Sequence, residues 1–164
     1  MNTDKSEYFF ETSSKIFSKY YKRNVSVETP FRWFTKPEIV SVWHRKWEKK
    51  FKLKPQDTVS CYFGNNCGVC KACINRAIAF TCAGVDIENF KDNPFVDIQA
   101  VIKDSYLGRF EVLEKERKLD ILYALKNNYD IIPTYTKKFV DENYEKYQKE
   151  IENRILHIST INLE

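Results

Sequence analysis

Glycine is scarce, at four in 164 residues. Three of them, Gly64, Gly68 and Gly84, lie in or just after one short segment. Backbone freedom is concentrated there, and the rest of the chain is predicted to be mainly helical. No two glycines are adjacent and none precedes Gly64. That excludes from this sequence a double-glycine loop cradling phosphate on its backbone N–H groups. No apolar run approaches the ~20 residues of a membrane-spanning helix, so no membrane partner is expected. The opening stretch "MNTDKSEYFFETSS" lacks a basic region followed by an apolar one, so no secretory signal is read there. A cytoplasmic location is the expectation. In that reducing setting, clustered cysteines are expected to be metal ligands rather than disulfides.

What is present fits a folded domain. Hydrophobic residues make up 43% and charged residues 30% of the chain. Residues 1–164 are expected to form a single domain with its own core. Aromatics reach 15%, so many must be buried or line a partner surface. The net charge of +4 is unevenly spread: "HRKWEKKFKLK", His44 to Lys54, holds six Lys/Arg against one Glu. The plain reading of that stretch is a solvated helix face; the sharper one is a surface for phosphate or nucleic acid.

Periodicity organises the rest. Phe9, Phe10, Ile16, Phe17, Tyr20 and Tyr21 form one apolar stripe, predicting a helix over 4–23. "NVSVETP", Asn24 to Pro30, is β-branched and predicts a short strand leading into a turn. A second helix is expected from Thr35, with Glu38 three residues on as in a capping box. Its buried face would be Ile39, Val42, Trp43, Trp47 and Phe51. After Gly84, helices are predicted from Asn93–Pro94, through "FEVLEKERKLDILYALKNNYD", and from Thr136 to the end. Phe139, Val140, Tyr144, Tyr147, Ile151, Ile155 and Ile158 make the stripe of the last one. The carboxylates beyond residue 84 fit surface pairs on helices. The fold class expected is mainly α: a small zinc knuckle with one or two short strands, packed on a helical bundle.

"SCYFGNNCGVCKACINRAIAF" carries the chemistry. Cys67, Cys70 and Cys73 recur every three residues, and Cys61 lies six before Cys67. Turns at Gly68 and at Gly64-Asn65-Asn66 can bring the four thiols onto one ion. Four thiolates around a tetrahedral zinc make a closed structural site, with no open position for water. An iron–sulfur cluster ranks second and metal-free buried thiols third. Cys82 falls outside the array and reads as a small buried residue. His44 and His157 are not expected to be ligands; His157 suits a helix C-terminus.

This segment resembles the zinc-binding part of the 7-cyano-7-deazaguanine synthases of queuosine biosynthesis. Ser60, Cys61, Tyr62, Gly64, Cys67, Gly68, Cys70, Cys73, Arg76, Ala79 and Phe80 take the places of that pattern. Upstream, Pro30, Lys36, Glu38 and Ile39 of "ETPFRWFTKPEIV" match its second motif. The resemblance spans about residues 24–84, a synthase-like zinc module followed by a helical extension over 85–164. It implies an ATP-dependent ligase that turns a 7-carboxy-7-deazaguanine into the nitrile with ammonia. It also implies Lys36 near nucleotide phosphates, and Arg76 near the knuckle or the substrate-side wall. The bland roles for these two are an exposed helix-start lysine and a hydrogen-bond donor to knuckle carbonyls.

The departures are as informative. That family's Ser-Gly-Gly-x-Asp-Ser nucleotide loop has no counterpart in this sequence. The gap between the first two cysteines is shorter, and the region after Gly84 matches nothing expected. A zinc-binding module reused for binding or structure is therefore favoured, with nucleic acid, a modified base or a host protein as partner. The alternative is one subunit of a split ligase, completed by an ATP-pyrophosphatase-like partner chain. A remnant without biochemical role is the third reading.

Overall fold

The structure is a computed structural model, and it describes residues 7–31, 33–96, 110 and 113–162. The chain divides into two compact units, Met1–Thr35 and Lys36–Glu164.

In the first unit, helix α1 (Glu7–Tyr21) forms where the aromatic stripe predicts it. None of its residues is buried. The strand predicted after it is a correction: among the described residues there is no β-strand. Serines one turn apart on α1 take the backbone groups a partner strand would have taken. Val25 N–H donates to Ser18 Oγ (2.9 Å), and Val27 N–H donates to Ser14 Oγ (2.8 Å). Ser18 Oγ in turn donates to Val25 O (3.2 Å). Side-chain hydroxyls compete with ladder formation in this way.

The second unit is helical. Its elements are α2 (Lys36–Val42), a π-helical turn (Trp43–Trp47), α3 (Glu48–Phe51) and a 3-10 turn (Pro55–Asp57). Then come α4 (Lys71–Cys82), α5 (Lys115–Asn127) and α6 (Thr134–Thr160). Helices α5 and α6 form the broadest helix pair, α4 packs on α2 and α5, and α2 also touches α6. The core joins Ile74, Ala77 and Ile78 of α4 to Ile121 and Leu125 of α5 and Val140 and Ile158 of α6. All seven residues of the predicted α6 stripe lie in or against the core clusters. Pro133 sets the start of α6, two positions before the predicted Thr136.

Two expectations need correction. Phe51 is 56% exposed rather than buried. The π-helical turn is the reason: one extra residue in a turn rotates everything after it by about 100°. Val42, ahead of that turn, is fully buried. The second correction is Asp120, a carboxylate beyond residue 84 that is only 2% exposed. Arg154 Nε donates to its Oδ1 (3.1 Å), and Arg154 Nη1 donates to Glu38 Oε1 (2.5 Å). Burial pushes the Asp120 carboxyl up, against the opposing pull of Arg154. His157 Nε2 also lies 3.1 Å from Glu38 Oε1, and Ser41 Oγ donates to Ile158 O (2.6 Å). Polar contacts thus tie α2 to α5 and α6. The helix predicted from Asn93 lies largely outside the described residues. At its start, Phe95 N–H donates to Asn93 Oδ1 (2.9 Å).

Candidate metal centre

The four cysteines of the array converge. One Sγ from each of Cys61, Cys67, Cys70 and Cys73 lies within 4.8 Å of every other. Cys82 is apart from them, 3% exposed, with its thiol donating to Asp120 O (3.3 Å). Neither histidine belongs to the group: His44 pairs with Glu48 (2.8 Å) and His157 with Glu38.

Local backbone chemistry explains the convergence. Cys70 caps α4, and Cys73 sits in its first turn, at the end of the macrodipole that favours thiolates. Cys61 is folded back by a turn in which Gly64 N–H donates to Cys61 O (3.2 Å). Its sulfur then accepts N–H bonds from Phe63 (3.3 Å) and Cys67 (3.4 Å). Desolvation acts to raise the Cys61 thiol, but backbone N–H bonds from Cys67, Phe63 and Asn65 outweigh it and bring it down to about 6. For Cys70, N–H bonds from Cys73 and Tyr62 likewise overcome desolvation and lower the pKa. Burial pushes the Cys73 thiol up. A cation is the natural partner for four sulfurs held this closely, so the donor set fits a thiolate-bound metal.

The loop between the ligands is strapped from outside. Lys91 N–H donates to Asn66 O (2.9 Å), and Asp92 N–H donates to Cys67 O (3.3 Å). Asn66 and Gly68 both take left-handed conformations, φ +50° and +86°. A Cβ on Gly68 would sit 1.8 Å from Asp92 O, whereas one on Gly64 would meet nothing within 4 Å. Gly68→Ala is therefore expected to disrupt the loop. Gly64→Ala should cost only its φ penalty, about 1–2 kcal/mol. Thermal melts of the two variants, side by side, check this; equal losses would contradict it.

Arg76 and Lys36 line one pocket of about 140 Å³, together with Thr58, Ser60 and apolar residues of α2 and α4. Arg76 is only 5% exposed. Its Nη1 donates to Asn66 Oδ1 (2.9 Å), and its Nη2 donates to Gln56 O (2.9 Å) and Pro55 O (3.3 Å). The guanidinium also lies over the rings of Phe80 (4.9 Å) and Phe90 (5.5 Å). Its Nε is buried with no hydrogen-bond partner among the described residues. Lys36 is exposed at the first position of α2.

The sequence marked Asn66 only as part of a turn, and it gave no sign of Lys91 and Asp92, which strap the loop, or of the Glu38–Arg154–Asp120 group. The signal for Asn66 was present, because asparagine is enriched in left-handed turns. Nothing in the pattern around Lys91 and Asp92 marks a strap.

Four converging thiols on a glycine-turn loop and a helix start define a cysteine-knuckle protein. The family model for queuosine biosynthesis protein QueC matches residues 3–84, half of the chain. The chain belongs to that family. The match starts well upstream of the resemblance visible in the motifs and takes in α1. A 7-cyano-7-deazaguanine synthase of Methanothermobacter thermautotrophicus is 35% identical over 85 residues, 51% of this chain and 36% of the relative. The chain thus spans about a third of that relative's length. No solved structure matches it. No described helix is long and apolar enough to cross a membrane.

Proposed function

We propose that this chain is a zinc-dependent binding module of its family, in which Cys61, Cys67, Cys70 and Cys73 hold a structural zinc. The observation that carries this reading is the mutual approach of all four sulfurs within 4.8 Å. Four protein ligands complete a tetrahedral zinc and leave no position for a reacting water. The metal then contributes folding energy to the loop that joins the Pro55 turn, α4 and the Lys91–Asp92 strap. No double-glycine nucleotide loop occurs in this sequence, which favours a binding role over nitrile formation by these residues alone. Chelation in reducing buffer should release the metal and lower the melting temperature, and added zinc should restore it. A melt that ignores the chelator would count against this reading.

A second reading has its own support. Lys36, Arg76, Thr58 and Ser60 face one cavity beside the knuckle. As the subunit of a split ligase, the chain would present that cavity to a partner carrying the Ser-Gly-Gly-x-Asp-Ser loop. The two chains would then co-purify, and ATP-dependent pyrophosphate release would need both. Release by the partner alone at the same rate would remove this alternative. Under it, Lys36→Ala should lower the joint activity at least tenfold while leaving zinc content unchanged.

A further inference from the structure

We infer that the segment from Lys46 to Lys54, with the aromatic tip of the knuckle, binds a single strand of nucleic acid. Lys46, Lys49, Lys50, Lys52 and Lys54 are all exposed. None of the five is ion-paired among the described residues, because the nearby carboxylates are engaged elsewhere. Glu48 is taken by His44 (2.8 Å), and Asp57 Oδ2 accepts the Lys54 backbone N–H (2.8 Å). Lys46 on the π-helical turn and Lys49 and Lys50 on α3 are like charges close along the chain, and like charges this near repel. The patch works against the fold that carries it, as expected of a surface kept for an anionic partner.

Aromatic faces accompany the charge. Phe51 is 56% exposed, and the Lys50 ammonium stands 5.4 Å from its ring centroid. The π-helical turn ahead of it, a feature frequent at functional sites, is what carries this ring out of the core. Lys52 adopts φ +54° and reverses the chain after α3. Trp43 Nε1 donates to Leu53 O (2.7 Å) and pins that reversal. At the knuckle tip, Tyr62 and Phe63 are 76% and 72% exposed. Tyr62 and Phe63 follow Lys54 by eight and nine residues, so the tip stands within ~32 Å of Lys54. That is inside the reach of the ~4–16 nucleotides that a single-strand site tracks. Open ring faces beside lysines suit unpaired bases on a phosphodiester strand; a duplex keeps its bases stacked on each other. The part played by Tyr62 and Phe63 rests on the zinc reading, because the metal orders the loop beneath them; the lysines and Phe51 do not depend on it.

The test is fluorescence anisotropy of a labelled 20-nucleotide single strand, in RNA and DNA versions, against a duplex of equal charge. Zinc-loaded full chain should prefer single strands, with affinity falling as salt rises. The log–log slope expected is roughly −0.7 for each lysine that meets a phosphate, about −3.5 for all five. Lys46→Gln/Lys49→Gln/Lys50→Gln should flatten that slope by about 2 and weaken binding at least tenfold. Phe51→Ala should weaken it about five- to 150-fold with the slope unchanged. Zinc content and circular dichroism of each variant should match the parent, separating loss of the patch from loss of the knuckle. Equal affinity for duplex, a triple variant that binds like the parent, or no binding at about 50 mM salt would overturn the inference. A zinc-free but folded sample that still binds through the lysines and Phe51 would uphold it while refuting the zinc reading.

Discussion

Arg154→Ala should destabilise the Lys36–Glu164 unit by about 3–5 kcal/mol, the cost of leaving buried charges without their partner. Arg154 is 8% exposed and holds two carboxylates, Glu38 at 5% and Asp120 at 2%. Its removal takes the buried guanidinium from both, leaving the Arg117 charge acting on Asp120 and His157 on Glu38. His157 covers only the Glu38 side of the gap, and its own side chain is 53% exposed. At this chain size the loss corresponds to a melting temperature lower by on the order of 10 °C. The loss should shrink when Glu38→Gln is already present, since the two side chains are coupled. Equal losses in both backgrounds would mean that Arg154 does not act through Glu38. Because Glu38 lies in the family-matched segment and Arg154 beyond it, the same cycle measures how firmly the C-terminal helices hold that segment.

Cys73→Ser is the second large effect. Cys73 is fully buried in the first turn of α4, next to Ile74 of the main core. Under the proposed zinc reading, its loss removes one of four ligands and places a hydroxyl among sulfurs. The variant should retain less than a tenth of the metal and melt at a lower temperature, since a structural zinc would supply folding energy. Cys82→Ser should leave metal content unchanged, because Cys82 stands outside the four-sulfur group. Circular dichroism melts with parallel metal analysis distinguish the two. If Cys73→Ser kept its metal, the ligand set would be wrong.

The cysteine array was legible because its information is local. Spacing of three, flanking glycines and an adjoining helix start describe the site without reference to the rest of the chain. The α6 stripe was legible for a similar reason, since seven residues at helical spacing leave one face to bury. Asn24 to Pro30 misled because β-branched residues register a preference for pairing but not the pairing partner. Here the serines at positions 14 and 18 filled that role. Phe51 misled because the apolar pattern assumed an unbroken α-helix through the π-helical turn. Glu38 was hidden by a plausible local job: three residues after Thr35, it read as half of a capping box. Its buried partner lies 116 residues away, beyond the reach of any window-based argument.

The direct test is the metal content of the folded, reductively purified chain. One zinc per chain is expected, lost on replacing any of Cys61, Cys67, Cys70 or Cys73. A folded sample with no metal, or a coloured one carrying iron and acid-labile sulfide, would contradict the zinc-module reading.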